Sequence, residues 1–153
     1  MGLAALLLAL PAFAAQAHIT LEARQAPADS YHKAVIRVPH GCKDSPTIRV
    51  RVRIPEGVTG VKPQPKPGWK LDIARSGENV SEVGWGGGSL ADEHYDEFVM
   101  RVKLPDRAGA TLYFPVVQEC RQGVHRWIEI PAANQKPDEL KEPAPALRLT
   151  PKP

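Results

Sequence analysis

Five histidines, three tryptophans and two cysteines carry the chemistry available to this chain of 153 residues. His18 has the most distinctive setting. It follows Ala15-Gln16-Ala17, an A-x-A pattern of the kind signal peptidase cuts after. Cleavage there makes His18 the new N-terminus. An N-terminal histidine chelates a metal by itself, through its α-amino nitrogen and its ring Nδ1. The amine titrates near about 8 and the ring near about 6.5, so both nitrogens are available at neutral pH. Two nitrogens in one plane suit tetragonal Cu(II) better than tetrahedral zinc.

The remaining histidines are His32, His40, His94 and His125. His32 opens a strand on its polar side and reads as solvated. His40 follows Pro39 and lies two residues before Cys42, so a disulfide at Cys42 would hold it in a defined place. His94 opens the acidic cluster His94-Tyr95-Asp96-Glu97, which reads as a solvated turn. His125 shares a strand face with Trp127 and Glu129, and the ordinary account of that face is a surface ladder. Trp69 heads an inward row. Trp85 lies in Gly84-Trp85-Gly86-Gly87-Gly88, read as a flexible loop whose ring plugs an open end of the fold. Trp127 is out of phase with Ile128 and Ile130 and so leaves the main core face, where it can wall a site.

The elements that position these residues read as strands. Residues 48–54 alternate apolar and basic without exception, with Ile48, Val50, Val52 and Ile54 inward. Ala34, Ile36 and Val38 repeat the pattern before Pro39. Trp69, Leu71 and Ile73 repeat it after the Pro-rich stretch 62–68. Phe98, Met100, Val102 and Leu104 form another inward row. Residues 111–117 and 125–130 are two more strands, and the turn between them predicts a hairpin that brings Glu119 and Cys120 near His125 and Trp127. Leu147 and Leu149 fit a last edge strand. Seven to nine strands divided by Pro and Gly turns predict one all-β sandwich, immunoglobulin-like or cupredoxin-like, over residues 18–150. Residues 132–146 are polar and Pro-rich and read as a surface loop within it.

Residues 3–14 are an apolar run too short to span a bilayer as a helix, so residues 1–17 read as a cleaved signal peptide. No stable membrane insertion is expected after cleavage. Export places the chain in an oxidising compartment, and Cys42 and Cys120 are its whole complement of cysteine. Their pairing would close a loop of 78 residues, worth roughly 4.5 kcal/mol by chain entropy. Lys+Arg number 20 and Asp+Glu 17, mixed along the chain, so nothing points to a nucleic-acid partner.

The combination His18-Ile19-Thr20-Leu21, Ile36-Arg37-Val38-Pro39, Tyr113-Phe114-Pro115-Val116-Val117-Gln118 and Trp127 resembles the YcnI-like copper-binding domain. The segments Pro39-His40-Gly41-Cys42, Lys66-Pro67-Gly68-Trp69, His94-Tyr95-Asp96-Glu97-Phe98 and Arg126-Trp127-Ile128-Glu129-Ile130-Pro131 resemble its Gram-negative branch. The resemblance covers essentially all of the chain after residue 17. It implies an exported β-sandwich that binds Cu(II) in a single-histidine brace: the N-terminal histidine, a carboxylate and a tryptophan. By that resemblance His18 takes the first role and Trp127 the third. The better-known branch has a Glu two positions after the Pro of the second segment, and here that position is Gly41. His40 is the expected replacement, giving Cu(II) three nitrogens; Glu22, Asp96, Glu97 and Glu119 are the alternatives.

The resemblance further implies copper handling in the cell envelope, in the periplasm, alongside another copper-handling protein. The expectation is therefore a non-enzymatic Cu(II) chaperone or buffer. Two other classes fit parts of the sequence. A polysaccharide-cleaving copper mono-oxygenase also uses an N-terminal histidine on a β-sandwich, but needs a flat aromatic platform, and only 9 Phe, Trp and Tyr residues exist, with several given to the core. A metal-free envelope interaction domain is the third.

Overall fold

The computed structural model describes residues 18–153, so the signal-peptide expectation for residues 1–17 lies outside the described residues. In chain order the strands are β1 (Thr20–Leu21), β2 (Gln25–Pro27), β3 (Tyr31–Val38), β4 (Thr47–Arg53), β5 (Thr59–Pro63), β6 (Lys70–Ser76), β7 (Asn79–Leu90), β8 (Asp96–Lys103), β9 (Thr111–Tyr113), β10 (Val116–Cys120), β11 (Val124–Trp127) and β12 (Ala146–Thr150). One 3-10 turn at Pro137–Glu139 is the single helical element among the described residues. None of their helices is long and apolar enough to cross a membrane.

Three sheets share one core. A four-stranded sheet runs β1-β3-β8-β5, a five-stranded sheet β11-β10-β4-β7-β6, and a three-stranded sheet β2-β12-β9. Ile36, Val38, Phe98, Met100 and Val102 from the first meet Val50, Val52, Val83, Trp85 and Val116 from the second, and Ala26, Leu112, Leu147 and Leu149 from the third join the same cluster. The alternation along β3, β4 and β8 is what produces this. Each strand buries one face and leaves its basic residues on the other.

Twelve strands replace the expected seven to nine, because β1, β2 and β9 are only two or three residues long and carry little periodicity. Residues 111–117 are not one strand. Phe114 and Pro115 break the run, so that β9 pairs with β12 and β10 with β4; Pro115 has no N–H to continue a ladder. Leu147 and Leu149 lie on the central strand of their sheet, not an edge. Trp85 is fully buried on β7, inside a strand and not a flexible loop, and its indole donates to the Gln64 carbonyl at 3.0 Å. Trp69 packs edge-on to Phe98 with centroids 5.0 Å apart. Its ring lies where a Cβ on Gly88 would stand, 2.1 Å from Cε2, which accounts for that glycine. Below Trp69, Leu71 is half-buried and Ile73 exposed, since β6 is the outer strand of its sheet. His32 takes the inward phase of Ala34, Ile36 and Val38, not a solvated one. Its Nε2 is buried without a partner, and burial pulls its pKa down.

Candidate metal centre

The β10–β11 hairpin builds one wall of the centre. Its register sets Val116 opposite Trp127 and Gln118 opposite His125. Val116, Gln118 and Cys120 are buried on β10, so the facing residues of β11 are turned the same way. Trp127 is 3% exposed while Ile128 and Ile130 are 43% and 54% exposed. The expected phase is thus inverted: the indole points in and the two isoleucines point out. His125 follows Trp127 inward and is half-buried, not part of a surface ladder. Gly123, at φ 93, makes the turn that sets this register.

The second wall is the exit of β3. Ile19 is buried in the core, and β1 pairs Thr20 with Arg37 and Leu21 with Ile36. That antiparallel register carries His18 to the end of the sandwich where Pro39 and His40 leave β3. The chain then turns tightly. Cys42 and Ser45 exchange backbone hydrogen bonds across Lys43 and Asp44, both in the left-handed region. Cys42 is disulfide-bonded to Cys120, with Cα atoms 6.0 Å apart, so the His40 loop is tied to the β10 end of the hairpin. A Cβ at Gly41 would stand 2.1 Å from the Ser45 carbonyl oxygen, and the Gly41 N–H donates to Asp92 at 2.9 Å. No side chain fits at position 41 without moving backbone.

Gln118 joins the two walls. It is fully buried; its Nε2 donates to the His40 carbonyl at 2.7 Å and to Thr47 Oγ1 at 2.8 Å, and its Oε1 accepts from Trp127 Nε1 at 3.0 Å. The indole only donates and the carbonyl only accepts, so the amide orientation is fixed by its partners.

These walls border an open pocket of about 490 Å³ lined by His18, His40, His125, Trp127, Glu129, Lys141 and Glu142. The His18 ring lies 5.4 Å from Trp127, His125 lies 5.1 Å from Trp127, and His40 and His125 meet edge to face at 6.1 Å. His18, His40 and Trp127, the three residues expected from the sequence, are therefore together. The four alternative carboxylates do not line the pocket, and each has a partner elsewhere. Glu22 faces Arg37 at 3.8 Å, Asp96 faces Lys66 at 2.6 Å, and Glu119 faces Arg51 at 2.9 Å. Glu97 accepts from the Tyr95 hydroxyl, which burial and then that carboxylate push up to about 12. His94 is exposed beside Glu93.

Two carboxylates line the pocket, Glu129 and Glu142, and the one that meets a histidine is Glu142, from the stretch expected to be a surface loop. Its Oε1 lies 2.7 Å from His125 Nδ1 and its Oε2 accepts the Arg126 N–H at 3.1 Å. The sequence reading missed both His125 and Glu142. The shared parity of His125 with Trp127 was the available signal; Glu142 lies 17 residues beyond His125 and carries none.

The donor set fits a borderline metal. Three imidazoles converge, and both cysteines are locked in the disulfide, so no thiolate competes. Among the described residues no three His, Cys, Asp or Glu side chains already stand close enough to hold an ion between them. Side chains alone do not make a finished cage, and an α-amino group on His18 is the kind of additional donor the arrangement lacks.

Fold and site together define an immunoglobulin-like β-sandwich with a histidine- and tryptophan-lined pocket at one end. The model of the family described as "Domain of unknown function (DUF1775)" matches residues 18–149, and the chain belongs to that family. It is the YcnI-like family to which the sequence motifs point. The chain is 27% identical over 96 residues to the copper-binding protein CutI of Bacillus subtilis (strain 168), a match covering 61% of this chain and 47% of CutI, so the aligned part spans about half of that relative. It also superposes on the crystal structure of an uncharacterized protein from Nocardia farcinica described as having an immunoglobulin-like fold. There the TM-score is 0.75 and the identity 28%, over 87% of this chain and 98% of that one.

Proposed function

We propose that this chain is an exported, periplasmic Cu(II)-binding protein that holds copper at the N-terminal histidine and passes it to another envelope protein. The observation that carries the reading is the convergence of His18 with Trp127 and His40 on one pocket. It gains support from the likeness to a relative named for copper binding. Cleavage before His18 would free its amine beside its own ring, and the chelate would then face the indole. His40 stands where an added donor is needed, and the neighbouring glycine excludes a side chain at the position where the family resemblance implies a carboxylate.

We read the role as capture and handover without turnover, and the lining supports that reading over one that acts on a polymer. The one aromatic residue of the pocket besides histidine is Trp127, and it is almost wholly buried, so it offers no platform for a polymer. A buried indole next to the metal would quench on binding and report occupancy.

The test is mass spectrometry of the exported protein followed by Cu(II) titration of the same material. The expected result is a mass beginning at His18 and one tightly held copper. His18→Ala should lose most of the affinity, and Trp127→Phe most of the copper-dependent quenching. A start at another residue, or an affinity within a few-fold of wild type in His18→Ala, would overturn the reading.

A further inference from the structure

His125 and Glu142 form a built arrangement that the brace does not use. Glu142 is held from both sides. Its N–H donates to Glu129 Oε1 at 2.6 Å, its carbonyl accepts the Glu129 N–H at 3.1 Å, and the Glu129 carbonyl accepts the Ala144 N–H at 2.8 Å. This short parallel bridge, Glu129 to Pro143, straps the Pro-rich stretch onto the outer edge of the hairpin. The carboxylate then forks. One oxygen takes the Arg126 backbone N–H, which would otherwise be an open edge donor, and the other faces His125 Nδ1 at 2.7 Å.

An ionised carboxylate only accepts, so a neutral His125 must carry its proton on Nδ1 and leave the lone pair on Nε2. The ring so oriented lines the same pocket as His18 and lies 6.1 Å from His40. A carboxylate on one ring nitrogen with the other directed at a metal is the arrangement that fixes tautomer and raises ligand basicity in metal-binding histidines. We propose that His125 is a copper ligand through Nε2 and that Glu142 is its positioning residue. The proposal rests on the copper reading above and adds an imidazole donor to it. It also gives residues 132–146 a role as the strap that sets the donor's angle.

Two measurements on the processed protein test this. In the copper-free protein, long-range nitrogen NMR of His125 near neutral pH should show the Nδ1-protonated tautomer. A neutral ring protonated on Nε2 would mean that Glu142 does not set the tautomer and would overturn the proposal. With Cu(II) bound, electron paramagnetic resonance should lose one coordinated imidazole nitrogen in His125→Ala. Glu142→Ala should weaken copper binding by about 10–100-fold, the usual cost of removing such a partner, and Glu142→Asp should recover part of it. Normal affinity and nitrogen count in both His125→Ala and Glu142→Ala, with His18→Ala inactive, would sink this proposal and leave the copper reading standing. Retained copper in His18→Ala would sink the copper reading itself, while the tautomer result would still judge the Glu142 contact.

Discussion

Replacing Gln118 should be among the most damaging single changes in the molecule, and the damage can be worked out bond by bond. The side chain is fully buried and makes three hydrogen bonds. In Gln118→Leu the volume is nearly kept, but the buried Trp127 indole N–H loses its acceptor and the His40 carbonyl loses the donor that Gln118 supplies. A buried polar group left unsatisfied costs about 1–3 kcal/mol and an ordinary lost hydrogen bond about 0.5–1.5 kcal/mol, so the two together cost roughly 1.5–4.5 kcal/mol. Thr47 Oγ1 retains only a long contact to the Cys120 sulfur at 3.9 Å. For a domain of this size about 1 kcal/mol moves the midpoint by ~4 °C, so a drop of roughly 6–18 °C is expected. Gln118→Glu is the sharper probe. It keeps the acceptor for Trp127 but loses both donated bonds and turns an anionic oxygen toward the His40 carbonyl. At neutral pH it should be at least as unstable as the leucine variant. Acid should narrow its gap to wild type, because a protonated carboxyl regains one donor. Urea unfolding followed by circular dichroism at two pH values reads both. A loss below about 1 kcal/mol in either variant would refute the claim that this amide holds the two walls together.

Three further outcomes are expected. Gly41→Ala places a Cβ against the Ser45 carbonyl oxygen, and the resulting strain should cost about 1–3 kcal/mol in unfolding free energy; an unchanged urea midpoint would show that the turn yields freely. Cys42→Ser opens the 78-residue loop and should cost about 2–5 kcal/mol, read as a fall in melting temperature that a reductant cannot deepen. Asp29 is held at about 2, first by the Lys103 ammonium and then by that of Lys152. Its folded pKa lies below the ordinary 3.8, so its contribution is complete above about pH 4 and is lost as pH falls toward 2. Asn tolerates the left-handed backbone there, at φ 52, so Asp29→Asn should flatten that part of the acid stability curve while leaving the fold intact.

Strand alternation was legible wherever one face of a strand is buried and the other wet. β3, β4 and β8 fall in that class, and their inward rows follow from the letters alone except at Ile48, which is half-buried where a register shift in β4 buries Thr47 instead. β11 reads the wrong way round because the most apolar residues of its stretch, Ile128 and Ile130, are the exposed ones. Burying an isoleucine is worth about 1.5–3 kcal/mol, but here the larger indole of Trp127 is buried instead, with its bond to the Gln118 amide, and the Gly123 turn holds that register. Once Trp127 is inward, His125 must be too. Glu142 was beyond reach for a different reason: a contact made by a short bridge across a Pro-rich stretch leaves no period in the sequence.

The tight turn at residues 41–45 connects these facts. The Cys42–Cys120 bond draws the loop onto the hairpin, and the close approach of Gly41 to Ser45 leaves no room for a side chain. A carboxylate is therefore sterically barred from the position where the family resemblance implies one. His40, one residue earlier, still faces the pocket, its carbonyl anchored by Gln118. Of the two carboxylates that line the pocket, Glu142 is the one that meets His125 and the Arg126 backbone. Packing around one glycine thus sets the chemistry on offer at this pocket: imidazoles with a carboxylate behind one of them, where the family resemblance implies a carboxylate beside His18. If that is the arrangement copper meets, the metal spectrum of this protein should show more nitrogen coordination than a single-histidine brace gives, and Gly41, which touches no metal, should be the residue that explains why.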